Sequence, residues 1–189
     1  AQRNNDRVGL LLATDRIERY LPPRRGHAHA LRVLREMLYF EPEGRGSDVS
    51  EAVRHFQNIQ RRRAVLFIFS DFLGQDLPQL ERTLRLAGRR HDVVCVRISD
   101  PLERRVPKAG LVEFLDPETG KNVLIDTSSR AWRRAFQEQT LAEERAVAMC
   151  LARSRADSIS LSTDQPYWPP LAKFLRERAR HGRRAVRAA

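Results

Sequence analysis

Ala64-Val65-Leu66-Phe67-Ile68-Phe69 runs directly into Ser70-Asp71-Phe72-Leu73-Gly74. Six consecutive apolar residues, with two aromatics and two β-branched side chains, fit a strand covered on both faces, and the polar Ser-Asp step marks its end in a loop. A strand of that kind belongs to a sheet with helices packed on it. The flanks agree with this. Downstream, residues 77–88 place Leu80, Leu84 and Leu86 on a helix, and Val93-Val94-Cys95-Val96-Arg97-Ile98 forms a second buried run that stops at Ser99-Asp100-Pro101. Upstream, residues 48–59 read as a helix opened by capping residues Ser47 and Asp48, with Glu51 three positions after Asp48.

Working further outward, Val8-Gly9-Leu10-Leu11-Leu12-Ala13 is another continuous apolar run, again expected to be a strand covered on both faces. Residues 14–16 make a turn, 17–21 suit a short edge strand, and Pro22-Pro23 should stop it. Residues 29–40 carry Ala30, Leu31, Leu34, Met37 and Leu38 at helical spacing, and residues 41–46 are a loop by composition. Residues 111–115 and 122–126 flank Asp116-Pro117-Glu118-Thr119-Gly120, the pattern of a β-hairpin. One long helix is expected over 129–154, roughly 39 Å at 1.5 Å per residue, with Trp132, Phe136, Ala142, Ala146, Val147 and Cys150 on its apolar face. Ile159-Ser160-Leu161 is a short strand, and Pro169-Pro170 can open a last helix. Strands alternating with helices predict an α/β domain, doubly wound around a mostly parallel sheet, with one β-hairpin excursion. The domain is expected to span residues 1–175, followed by a basic tail over 176–189.

The chain has 189 residues and a formal charge of +11, with 35 Lys and Arg against 24 Asp and Glu; only Lys108, Lys121 and Lys173 are lysines. A hydrophobic content of 41% supports a real core and excludes the disordered class. The longest clean apolar runs fall far below the ~20 residues that cross a bilayer as a helix. Cys95 and Cys150 lie inside apolar segments, which suits core packing and a reduced, cytoplasmic setting. Residues 173–189 hold seven cations and one anion, Glu177, so much of the net charge is gathered at the end of the chain. Arg176, Arg178, Arg180, Arg183, Arg184 and Arg187 are therefore candidates for binding a polyanion such as nucleic acid, although no aromatic interleaving or RNA-recognition signature accompanies them. The alternative use of this stretch is a solvated face.

Catalytic motifs are missing. There is no Gly-x-x-x-x-Gly-Lys phosphate loop, no Gly-x-Ser-x-Gly elbow and no His-Glu-x-x-His, so the chain is read as a non-enzyme. Two positions draw attention. Asp71 follows the most apolar strand, where ligands of open α/β sheets bind and where a carboxylate can hold a hard cation. Ser47 offers a hydroxyl at a helix entry after Gly44-Arg45-Gly46, a loop whose backbone N–H groups could hold an anion or face a partner. The competing roles are a turn aspartate and a simple helix cap.

Several stretches resemble the bacterial family of unknown function numbered fifty-eight. They are Asn5-Asp6-Arg7-Val8-Gly9-Leu10-Leu11, Glu18-Arg19-Tyr20-Leu21-Pro22-Pro23, the run from Phe40 to Asp48, Phe69-Ser70-Asp71-Phe72, Asp126-Thr127-Ser128, and Leu161-Ser162-Thr163-Asp164-Gln165-Pro166-Tyr167. The resemblance implies a von Willebrand factor A-like domain, commonly encoded beside MoxR-type AAA+ ATPases. It also implies a metal-ion-dependent adhesion site for Mg²⁺ or Mn²⁺. In that scheme Ser47 matches a ligating hydroxyl and Asp71 the last ligating aspartate.

The third part of such a site, an Asp-x-Ser-x-Ser motif after the first strand, does not occur in this sequence; Asp48-Val49-Ser50-Glu51-Ala52 begins it and fails its last position. The resemblance puts that motif on a central strand preceding Val8, between the strands at 8–13 and 64–69. The chain opens Ala1-Gln2-Arg3-Asn4 without methionine. The expectation is an N-terminally truncated domain with two half-sheets and an incomplete metal site. As to function, the expectation is a noncatalytic protein-interaction module that works with a MoxR-type ATPase on an unidentified client. The alternative is polyanion binding through the arginine tail.

Overall fold

A computed structural model describes residues 6–115 and 122–187. The apolar run at residues 64–69 forms β3 (Val65–Ser70). It pairs in parallel with β4 (Asp92–Ser99), and β4 pairs in parallel with β7 (Asp157–Ser162), giving a three-stranded sheet in the order β3-β4-β7. The remaining strands form two antiparallel pairs, β1 (Val8–Ala13) with β2 (Ile17–Arg24) and β5 (Leu111–Leu115) with β6 (Asn122–Asp126). The fold is mixed α/β, with a parallel sheet and antiparallel hairpins. The expected hairpin at 111–126 is present; its turn, residues 116–121, lies outside the described residues.

Helices lie against both faces of the parallel sheet. On one face Leu66, Ile68, Val93 and Cys95 meet α2 (Val49–Ile59), α3 (Leu77–Gly88) and α5 (Arg130–Ser154) through Val53, Leu80, Leu84, Val147, Cys150 and Leu151. Leu80 and Leu84 are wholly buried, and truncating such a leucine to alanine costs about 2–5 kcal/mol. On the other face Val94, Val96 and Ile159 take Leu171 and Phe174 of α6 (Trp168–Arg187). Strand alternation sends Val93 and Cys95 one way and Val94 and Val96 the other, so the middle of β4, Val93 to Val96, is continuously apolar because it is covered twice.

Several expectations need correction. β3 is not covered on both faces: it is a terminal strand, and Val65, Phe67 and Phe69 are 55, 41 and 62% exposed on the side where α6 covers only β4 and β7. Phe67 and Phe69 stack on each other, with ring centroids 6.4 Å apart. The strand at 8–13 is likewise only half-buried, and it joins the antiparallel pair rather than the parallel sheet. Pro22 and Pro23 do not stop β2, which continues to Arg24. Among the described residues β2 pairs with β1 alone, and that pairing shifts register between Val8↔Arg24 and Leu10↔Leu21, where the two prolines lie.

The helices also differ in detail. α1 (His27–Tyr39) buries Val33, whereas Leu31, Leu34 and Leu38 are exposed. Only the C-terminal third of α5 reaches the core; Ala142 is exposed, and Trp132 and Phe136 stack on each other at 5.3 Å. A four-residue helix, α4 (Pro101–Arg104), follows β4 and is opened by a capping box between Asp100 and Glu103. The 175/176 boundary falls inside α6, which runs unbroken through it.

Candidate functional site at the crest of the parallel sheet

The C-terminal ends of β3, β4 and β7 form one crest. Ser70 and Asp71 end β3, Ser99 and Asp100 end β4, and Thr163 follows β7, all lining a shallow cleft with Phe69, Ile98 and Glu103. In each Ser-Asp step the aspartate accepts from the backbone amide two residues on. At β3 the Phe72 amide donates to Ser70 Oγ (2.9 Å) and the Leu73 amide to Asp71 Oδ1 (3.0 Å). Phe72 itself has φ 61° and is fully buried, a left-handed backbone uncommon for so large a residue. The phenyl anchors the loop in the core while Asp71 stays exposed above it.

At β4 the Asp100 carboxylate accepts from Thr163 Oγ1 (2.6 Å) and from the Leu102 amide (2.8 Å). The Thr163 hydroxyl, and then the Leu102 amide, hold the Asp100 carboxyl below its ordinary range. The bond ties the ends of β4 and β7 together.

Ser47 arrives from the other side. Gln75 brackets its loop: the Gln75 amide nitrogen donates to the Ser47 carbonyl (2.8 Å) and the Leu73 carbonyl (3.3 Å), while its oxygen accepts from the Val49 amide (2.9 Å). The segment with Ser47 and the segment with Asp71 are thus joined by one side chain. The expected cap is made by Asp48, whose carboxylate accepts from the Glu51 amide at 2.8 Å. Ser47 is exposed, and among the described residues its hydroxyl takes no part in the cap.

The 44–46 loop is fixed by the β1–β2 turn. The Gly44 amide donates to Glu18 Oε1 (2.6 Å), which also accepts from Thr14 Oγ1 (2.8 Å). The Thr14 hydroxyl, then the Gly44 amide, then Arg16 hold the Glu18 carboxyl below its usual range. A Cβ on Gly44 would fall 2.1 Å from Thr14 Oγ1 and 2.3 Å from Asp15 Oδ1, so any larger residue forces these side chains to move and disturbs their hydrogen bonds. The Asp48 amide adds a bond to the Thr14 carbonyl at 2.9 Å. Gly46 has φ 80°, and Arg45 and Gly46 are exposed.

Ser47 and Asp71 fit a hard divalent cation in donor type: one neutral and one anionic oxygen, both exposed, with Asp71 Oδ1 already engaged by Leu73. They do not complete a coordination shell, and among the described residues no three His, Cys, Asp or Glu converge on one point.

The arginine tail divides. Arg178 pairs with both Asp92 and Asp157 and lies 5.6 Å from the Phe174 ring centre, so it is committed to the sheet rather than to an external polyanion. Arg176 and Arg180 are exposed; Arg183, Arg184 and Arg187 continue the same helix. The cysteines are both buried, and burial pushes the Cys95 thiol up to about 12, away from a reactive thiolate.

Gln75, Glu18, Thr163 and Asp100 were not singled out by the sequence reading. One signal was available: two adjacent parallel strands each end in Ser-Asp, at 70–71 and 99–100.

An α/β chain whose polar crest sits on a parallel sheet, with an antiparallel hairpin packed beside it, is the class of protein these features define. Residues 1–146 match the family described as "Protein of unknown function DUF58", and the chain belongs to that family. It is 30% identical over 179 residues to the uncharacterized protein Rv1480 of Mycobacterium tuberculosis and equally to Mb1516 of Mycobacterium bovis, covering 93% of this chain and 55% of each relative. The chain therefore spans about half the length of those relatives. The uncharacterized protein MAV169 of Mycobacterium avium is 29% identical over 141 residues, covering 74% of this chain and 80% of that protein. Among solved structures, the conserved hypothetical protein BatB from Bacteroides thetaiotaomicron superposes with a TM-score of 0.54 at 14% identity, covering 93% of this chain and 80% of that one. That likeness concerns the fold.

Proposed function

We propose that the chain is a noncatalytic protein-interaction module that presents the crest of its sheet to a protein partner. The observation that carries this reading is the Gln75 bracket, which joins the Ser47 segment to the Asp71 segment at the C-terminal end of β3. In this reading the domain is von Willebrand factor A-like, and Ser47 and Asp71 contribute two oxygens to a Mg²⁺ or Mn²⁺ ion. Such an ion, weakly neutralised by its protein ligands, attracts an acidic side chain of the partner to complete its octahedron. Gly44, Arg45 and Gly46 form the rim that the partner meets.

The separate β1-β2 and β3-β4-β7 sheets support a further element of the proposal: a strand from outside this chain, carrying the remaining ligands, pairs between β1 and β3. The partner proposed is a MoxR-type AAA+ ATPase, acting on a client protein in chaperone-like assembly. The test is partner capture by the longer natural protein with and without a chelator. Capture should require Mg²⁺ or Mn²⁺ and weaken at least tenfold in Asp71→Ala. Capture that is indifferent to both chelator and substitution would overturn the metal-bridged reading.

A further inference from the structure

The outward side of α6 is organised beyond what packing on the sheet requires. Leu171 and Phe174 face the core and Arg178 bridges two strands, which settles the inward side. Trp168 and Leu175, seven residues and two helical turns apart, lie on one line along the flank of the helix and are 63 and 41% exposed. Exposed Ala179 extends that line, and Tyr167, just before the helix, is 66% exposed. Beside it, at spacings of three and four, run the exposed cations Lys173, Arg176 and Arg180. Glu177 is the one acidic residue in the helix, and Arg183, Arg184 and Arg187 extend its sequence with the same sign.

We infer that this side of α6 docks on an anionic lipid surface, lying in the interface plane without crossing it. Two features of this helix choose lipid over a phosphate polymer. A row of cations alone would serve either. The aromatic and aliphatic line beside the row matches a headgroup boundary, where tryptophan, tyrosine and leucine are buried while arginine and lysine meet phosphate. Arg178 is withheld from the row by its two aspartates, so the charge offered outward is confined to one side. No helix of the described residues is long and apolar enough to cross a membrane.

The experiment is vesicle flotation of the protein that carries this chain, with phosphatidylcholine vesicles and with vesicles containing about one-third phosphatidylglycerol. Flotation is expected only with the anionic vesicles, falling as salt is raised. R176E/R180E should reduce partitioning about 20-fold or more, since each basic residue near an anionic surface contributes about fivefold. W168A/L175A, which leaves every cation in place, should also weaken it. All four positions are exposed, and circular dichroism confirms that each variant folds. Absence of flotation, or flotation unchanged by R176E/R180E, overturns the inference. So does binding that W168A/L175A leaves intact and that single-stranded RNA strips away, because that outcome assigns the cations to a polymer. None of these outcomes depends on Asp71 or on a metal ion.

Discussion

Gln75 holds Ser47 by its backbone, not by its hydroxyl: the amide nitrogen donates to the Ser47 carbonyl at 2.8 Å, and the amide oxygen takes the Val49 N–H at 2.9 Å. The hydroxyl is left available while the segment that bears it is fixed. Gln75→Ala removes both bonds together with the 3.3 Å bond to the Leu73 carbonyl, and is expected to cost about 1.5–4.5 kcal/mol, at about 0.5–1.5 kcal/mol net for each. Urea denaturation measures this. Gln75→Glu keeps the acceptor for Val49 but loses the donor, and should fall between the two.

Gly44→Ala should destabilise by about 1–3 kcal/mol, because the new methyl overlaps Thr14 and Asp15 and displaces the Glu18 carboxylate from the Gly44 amide. Thermal unfolding is the measurement. Thr14→Ser, which keeps the hydroxyl and removes only a methyl group, is the control that should be nearly neutral.

Phe72 combines a left-handed backbone with complete burial. Phe72→Ala keeps the strain and empties the pocket, so a loss of about 3–5 kcal/mol is expected. Phe72→Gly relieves the backbone, and should be no worse than alanine despite its greater chain entropy. A glycine variant clearly less stable than the alanine variant would contradict the assignment of strain.

His91 is 2% exposed, packs edge-on against Phe56 at 4.9 Å, and neither ring nitrogen has a hydrogen-bond partner among the described residues. Burial first, and the Arg90 charge second, lower its pKa from 6.5. The unfolded chain therefore binds the proton before the folded chain does. Stability is unaffected by His91 above about pH 6.5 and declines as pH falls from there toward the folded value. Denaturation of wild type and His91→Phe at pH 7.5 and 5.5 should show a steeper loss in the wild type.

How much was legible beforehand follows from what each signal measures. The helix at 49–59 was readable to within a residue because Asp48 and Glu51 report on each other locally. The strands at 65–70 and 92–99 were readable from apolar runs, yet the same runs misled about burial. An apolar strand carries no information on which neighbours will cover it, and among the described residues β3 has a partner on one edge only. The site divides in the same way. Asp71 was visible because it ends a strand. Gln75 was not, because a glutamine in a loop has no pattern until its two bonding partners are folded against it.

By itself the sequence determined the element types, the hairpin at 111–126, the alternation that makes the chain α/β, and the positions Ser47 and Asp71 at the ends of elements. These depend on residues within a few positions of one another, where backbone sterics, capping and periodicity act. Only the tertiary structure decided that the strands at 8–13 and 65–70 lie in different sheets, that Arg178 turns inward to Asp92 and Asp157, and that Thr163 locks Asp100. Those outcomes join residues far apart in the chain, and what selects them is the competition among all possible partners for burial and charge.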